Sequence, residues 1–253
     1  MAKQQFLKKG REAYERAMNF LKGEDFKSAE AEFEGAREYL DTLKGGVRNR
    51  DADRLLEELR GWASFTKGRR AMEFAKEAEQ LEDLKMAAST YRKAYSHFFQ
   101  SLEAFSAIDS KEGMEKARGY MNMANGLSFS SEGDFAFDGD EYTKSVEFYQ
   151  KALSYFSMAK KNFATIGDSE RVEEVENMLS HTNADVWISE GHYNILLSKQ
   201  TGEDELLARA EYEKTAAEDF KKSLEFLKEM KNEDLVKKAA PSIDFAEALH
   251  EVS

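Results

Sequence analysis

A single proline, Pro241, stands in a chain of 253 residues. At a usage of ~5%, roughly a dozen would be ordinary for this length. Proline is costly inside helices and common in the turns of β-proteins. A chain that nearly dispenses with it, while rich in Ala, Glu, Lys and Leu, reads as helix almost throughout. Glycine falls mostly between periodic segments, at Gly23, Gly45, Gly46, Gly113, Gly133, Gly139, Gly167 and Gly202. Those are helix-end and turn positions. The expected class is all-α, with helices over about 3–22, 26–43, 52–80, 84–108, 112–130, 141–165, 169–198, 205–230 and 233–251. Asp25, Asp51, Asp83, Asp109, Asp140 and Asp168 stand where a side chain can cap the free N–H groups of a starting helix. Pro241 should kink the last segment or restart it, with Ser242 and Asp244 in the new first turn. No linker rich in Gly, Pro or Ser divides the map, so residues 1–253 read as one all-helical repeat domain.

Charge and residue usage remove several functions. Lys and Arg number 37 against 49 Asp and Glu, a net charge of −12. That balance argues against a nucleic-acid partner, because phosphate binding needs a clustered positive surface. Cysteine is absent, which removes disulfides, thiolate metal sites and a cysteine nucleophile together. The longest uncharged stretch, Gly119 to Ser131, is too short and too polar to span a bilayer, so membrane insertion is not expected. The opening residues MAKQQFLKKGRE lack an apolar signal segment, which makes a cytoplasmic location the expectation.

A repeat lies in the spacing of small and aromatic residues. Ala29-Phe33-Ala36, Ala87-Tyr91-Ala94, Ser145-Tyr149-Ala152 and Ala216-Phe220-Ser223 share one pattern, small, aromatic four later, small three after that. From Phe33 through Tyr91 and Tyr149 to Phe220 the aromatic position advances by 58, 58 and 71. Steps of three and four put each set on one helical face. A partner helix precedes each, with small residues at Ala13-Ala17, Ala71-Ala75, Ala117-Met121 and Ala184-Ile188. Counted from the first small position of each partner to that of its signature, the spacing is 16, 16, 28 and 32. The two longer values predict insertions of 12 and 16 at the turns of the third and fourth hairpins.

The alternation resembles the tetratricopeptide repeat, whose second helix carries the same Ala, aromatic, Ala signature. A13YERAMNFLKGEDFKSAEAEFEGA36 carries the likeness best. The first-helix Trp and closing Pro of that family are missing, and the period is 58 rather than ~34. Longer paired helices of this kind are similar to the soluble NSF attachment protein branch of the superfamily. The resemblance implies a right-handed helical-hairpin solenoid of about four units, with long helices and a C-terminal capping helix. In such a solenoid the first helix of each hairpin lines the concave surface. Residues just after the small packing positions then face a groove: Tyr14, Met18 and Leu21; Met72, Lys76 and Glu79; Arg118, Asn122 and Asn125; Asp185, Ser189 and His192. Their mixture of apolar, amide and charged groups suits a peptide or a helix from another protein. Tyr14 and Met18 occupy positions where chaperone-binding relatives place Lys and Asn, so a carboxylate clamp is not expected.

Candidate chemistry is sparse. His181, Asp185 and His192 share a helical stripe, but the two histidines are three turns apart, roughly 16 Å by the helix rise, and cannot share an ion without a second helix. Glu247-x-x-His250 is half of a di-iron motif with no second copy. No phosphate loop, G-x-S-x-G elbow or H-E-x-x-H occurs. Lys67, Arg69 and Arg70 have Glu73 and Glu77 within helical reach and read as internally paired charge. The insertion from Phe129 to Glu141 sets Phe129, Phe135 and Phe137 in a polar loop, either a packed staple or a contact site. The leading expectation is a non-enzymatic scaffold or adaptor with no cofactor, binding another protein. A sensor module for a small ligand or signal peptide and a helical-bundle enzyme or metal protein are the alternatives.

Overall fold

A computed structural model describes residues 2–41, 50–202 and 205–229. Over these run eight helices and no strand: α1 (Ala2–Lys22), α2 (Phe26–Asp41), α3 (Arg50–Gln80), α4 (Leu84–Ala107), α5 (Lys111–Asp138), α6 (Tyr142–Thr165), α7 (Ser169–Gln200) and α8 (Leu206–Glu229). The expected capping helix at 233–251, with Pro241, Glu247 and His250, lies outside the described residues, as do Gly45 and Gly46. No helix among the described residues is long and apolar enough to cross a membrane.

Five connections are one motif. Glu24, Glu82, Asp109, Asp140 and Gly167 take φ of 59°, 59°, 52°, 58° and 70°. In each, the left-handed residue donates its N–H to the carbonyl three back, and the following residue donates to the carbonyl five back. Glu82 N bonds Glu79 O and Asp83 N bonds Ala78 O, both at 2.9 Å. This double bond closes the outgoing helix, and its last residue caps the incoming one. Asp83 Oδ1 accepts from Met86 N–H, and Asp25 Oδ1 from Ser28 N–H, each at 3.0 Å. Asp109 and Asp140, expected as caps, are instead the left-handed residues. Their cap places fall to Ser110 and Glu141, whose carbonyls accept the first helical bonds from Met114 and Ser145. Aspartate tolerates that backbone region better than most residues, which is why it serves in either place. Asp51 falls inside α3, which opens at Arg50.

The small and aromatic residues form the hairpin seams. All twelve residues of the four signature sets are between 0% and 3% exposed. Opposite them lie glycines. A Cβ on Gly68 of α3 would stand 2.7 Å from the Phe98 ring of α4, and one on Gly126 of α5 would stand 2.5 Å from the Phe156 ring of α6. Gly61 under Phe105, Gly133 under Tyr149 and Gly191 under Phe220 repeat the arrangement. Glycines and rings both recur at sevens, the step at which antiparallel helices keep one seam aligned at a shallow crossing of ~20°. Each ring sunk this way contributes about 1.5–3 kcal/mol of apolar burial.

These contacts correct the register expected for the third and fourth hairpins. The 58-residue step runs through the first helices as Ala17, Ala75, Gly133 and Gly191, and as Gly10, Gly68, Gly126 and Ala184. Ala117-Met121 therefore lies more than three turns before the third hairpin's true seam residue, Gly133. No insertion exists there: Gly139-Asp140-Glu141 is the same turn as Leu81-Glu82-Asp83, and residues 129–138 are helix. The fourth hairpin is longer because both arms are extended. Far along it, Ser198 donates to the buried Glu213 at 2.6 Å, and Arg209 does so at 3.0 Å.

Contacts divide the chain into two compact units. Unit 1 comprises the described residues up to Asn125 with Lys161–Asp168, and unit 2 comprises Gly126–Lys160 with the described residues from Ser169 onward. In unit 1 the helices pack in chain order, α1 on α2, α2 on α3 and α3 on α4. Phe33, Leu40 and Leu59 fill the space around Ala13, Ala17, Ala29 and Ala36. Further along, Phe65, Phe98 and Tyr120 meet with ring centroids 5.0–5.5 Å apart. Lys67, Arg69 and Arg70 are paired, as expected, but across to the preceding hairpin rather than within α3. Arg70 reaches Glu30 and Arg69 reaches Glu24, both at 2.9 Å, and Lys67 lies 3.8 Å from Glu30 and Glu34. In unit 2, α7 packs on α8 through Ile195, Ala216, Ala217 and Phe220.

Candidate functional site

A polar cluster of unit 2 grows from the seam itself. Gly133 on α5 lies under Tyr149 of α6, and the ring's hydroxyl projects to the next residue, Asp134, donating to Oδ1 at 2.6 Å. Four residues earlier on α6, Ser145 is fully buried; its Oγ donates to Gly133 O at 3.0 Å and meets Ser189 Oγ of α7 at 3.1 Å. One turn before Ser189 stands Asp185. Burial, and secondarily the charge of Asp134, push the Asp185 carboxyl up to about 8 from an ordinary 3.8. Asp185 is half-buried. Burial, then Asp134 and Asp185, likewise raise the Tyr149 hydroxyl. Beside this chain sits an aromatic group: His192 is 5.2 Å from Phe137, 5.4 Å from Tyr142 and 5.2 Å from Phe220. Burial holds His192 below its usual range. A carboxyl raised by desolvation is one mark of a candidate functional site.

The expected groove residues divide into open and closed places. In unit 1, Tyr14 donates to Glu58 at 2.8 Å and so ties α1 to α3. Met18 and Leu21 are half-buried against the first hairpin's core. Met72 is only 2% exposed, a correction: the buried row of α3 runs through Gly68, Met72 and Ala75, leaving Ala71 half-buried, because α3 has neighbours on two sides. Lys76 is half-buried beside Glu73 at 3.7 Å. Glu79 accepts from Tyr91 Oη at 3.0 Å and is fastened inside its hairpin. Arg118 pairs with Glu115, which also accepts from Asn162, and Asn162 in turn accepts from Asn122. These side chains make an internal polar network of unit 1, with Asn125 half-buried a turn further on. In unit 2 the structure brings Asp185, Ser189 and His192 to the cluster above, but Ser189 is 0% exposed and faces Ser145 rather than a groove.

Phe129, Phe135 and Phe137 do not form a loop. They lie on α5, where Phe129 stacks on Tyr155 at 5.6 Å, Phe137 joins the His192 group, and Phe135 remains 47% exposed. Asp134, Tyr149 and Ser145 were missed as site residues. The 58-residue step could have found Asp134, since Met18, Lys76, Asp134 and His192 each follow a seam residue at that interval.

Unit 1 also holds a cavity of about 490 Å³ between α2 and α3, with Phe33 and Leu56 in its wall. Its cations are matched at once: Arg37 with Asp41 at 3.9 Å, Arg60 with Glu57 at 3.6 Å and Lys67 with Glu34 at 3.8 Å. Among the described residues no group of three His, Asp or Glu is placed to hold a metal ion. No protein-family model matches the chain, and no curated protein matches it.

Proposed function

We propose that this chain is a non-enzymatic interaction scaffold, a tetratricopeptide-like stack of long hairpins that takes a peptide or helix of another protein along the first helices of its repeats. One observation carries the reading. At the seam the 58-residue step places only Ala or Gly (Ala17, Ala75, Gly133, Gly191), whereas the next residue is Met18, Lys76, Asp134 and then His192. All four of these neighbours are half-buried. A packing position held to Ala or Gly, beside a half-open position that changes from apolar to basic to acidic to imidazole, is how a repeat separates architecture from recognition. The five shared turns support the same reading, since one turn conformation recurs between successive helices.

Affinity capture from the native host with the full chain as bait, followed by mass spectrometry, tests this. The expected result is a recurrent polypeptide partner lost with Met18→Glu or Lys76→Glu, while the variants keep the wild-type circular dichroism. Turnover of a small molecule by the purified chain, with no recurrent partner, would reverse the proposal.

A further inference from the structure

Going beyond the groove, we infer that the cavity between α2 and α3 of unit 1 binds a small zwitterion with an apolar body, an apolar amino acid or its dipeptide. The two walls are helical stripes of alternating charge. Glu34, Arg37 and Asp41 follow one another at steps of three and four along α2, and Glu57, Arg60, Ser64 and Lys67 do so along α3. Between them the lining is apolar: Phe33 and Leu59 are buried, while Leu56 and Ala63 are half-buried against the same core. At about 490 Å³ the space falls within the ~300–1,000 Å³ of small-molecule sites. It shares no residue with the groove proposed above.

The ion pairs show where the charges stay open. At one end Lys67 crosses from α3 to α2, 3.8 Å from Glu30 and from Glu34. Further along, the pairs run along their own helices, Arg37 to Asp41 at 3.9 Å and Arg60 to Glu57 at 3.6 Å. Those separations match charge but exceed hydrogen-bond reach, and neither guanidinium donates a hydrogen bond to a described residue. Two forked sets of donors thus keep their bonding capacity at the cavity, one on each wall. Charge then decides the class of occupant. Three cations (Arg37, Arg60, Lys67) and three acids (Glu34, Asp41, Glu57) surround one apolar lining. A simple anion would meet three like charges, and so would a simple cation. A molecule carrying a carboxylate, an ammonium group and an apolar body finds a partner for each. Arg37 and Arg60 suit the carboxylate, Glu57 suits the ammonium, and the body covers Leu56 and Ala63.

Isothermal titration calorimetry of the full chain at fixed ionic strength tests this with phenylalanine, leucyl-phenylalanine, the N-acetyl and amide forms of each, and glycyl-glycine. Saturable binding is expected for phenylalanine or leucyl-phenylalanine, and the tighter of the two identifies the source as free amino acid or peptide. Blocking its ammonium or its carboxylate should weaken binding at least about tenfold, the scale of one lost charge-assisted hydrogen bond. Glycyl-glycine, which has the charges without the body, should not bind. Ala63→Phe should fill the cavity and abolish binding with circular dichroism unaltered. Arg60→Gln, at an exposed position, should weaken the zwitterion and leave its amide form unchanged, and it decides the matter if Ala63→Phe fails to fold. Blocked forms that bind as tightly as the zwitterion, an Arg60→Gln chain that binds every form like wild type, or no saturation by about 10 mM would each overturn the inference.

Discussion

Single residues here are constrained mainly by how closely backbones approach. Gly68 has the buried Phe98 ring where a methyl group would go. Gly68→Ala should therefore cost about 1–3 kcal/mol through overpacking, read as a lower urea midpoint. Glu82 presents the opposite case. It is exposed and sits at φ 59°, a region that disfavours residues with a Cβ. Glu82→Gly should stabilise the chain by up to about 1 kcal/mol, and a fall in melting temperature would contradict the turn assignment. Asp185 adds a pH dependence of definite sign. Its carboxyl ionises near 3.8 when unfolded and near 8 in the fold, so between those values the native state holds a proton that the unfolded chain has lost. The stability linked to this group is complete below about pH 4 and drains away as pH rises toward 8. Asp185→Asn should flatten that decline, with urea midpoints at pH 5 and pH 8 drawing together relative to wild type.

At the level of helices and hairpins, the buried small residues carry the weight. Ala87 is 0% exposed in the α4 seam. Ala87→Glu should destabilise by more than about 3 kcal/mol, because it forces an unpaired charge among packed rods, and chemical denaturation would report it. A tolerated Ala87→Glu would contradict the register drawn here. Helices α1, α2, α4 and α6 lie within about two residues of their sequence-based boundaries, since a change of periodicity and a polar turn both mark their ends. The segment from Phe129 to Asp138 was misread for a physical reason. Gly133, Asp134 and Asp138 among polar residues look like turn chemistry, yet Gly133 serves there as the space under Tyr149. Local propensity counts a glycine as a helix breaker, and a facing aromatic ring makes the same glycine a requirement.

For the molecule as a whole, the recurring interval between seams is the organising quantity, and its aromatic half was legible before any coordinates. Helical class, the pairing of helices into hairpins and burial of the four signature sets all follow from composition and from spacings of three and four, because those depend on neighbours within a few turns. The proposed binding also belongs to this scale: exchanging Lys76 for Glu should change which polypeptide affinity capture recovers without changing how the chain folds. Which glycine faces which ring, the division into two units and the gathering of Asp134, Tyr149 and Asp185 could be decided only in three dimensions. Asp134 and Asp185 are separated by 51 positions and belong to different helices. The desolvation of Asp185 arises when helices distant along the chain are pressed together, and a one-dimensional pattern has no term for the water that this contact removes.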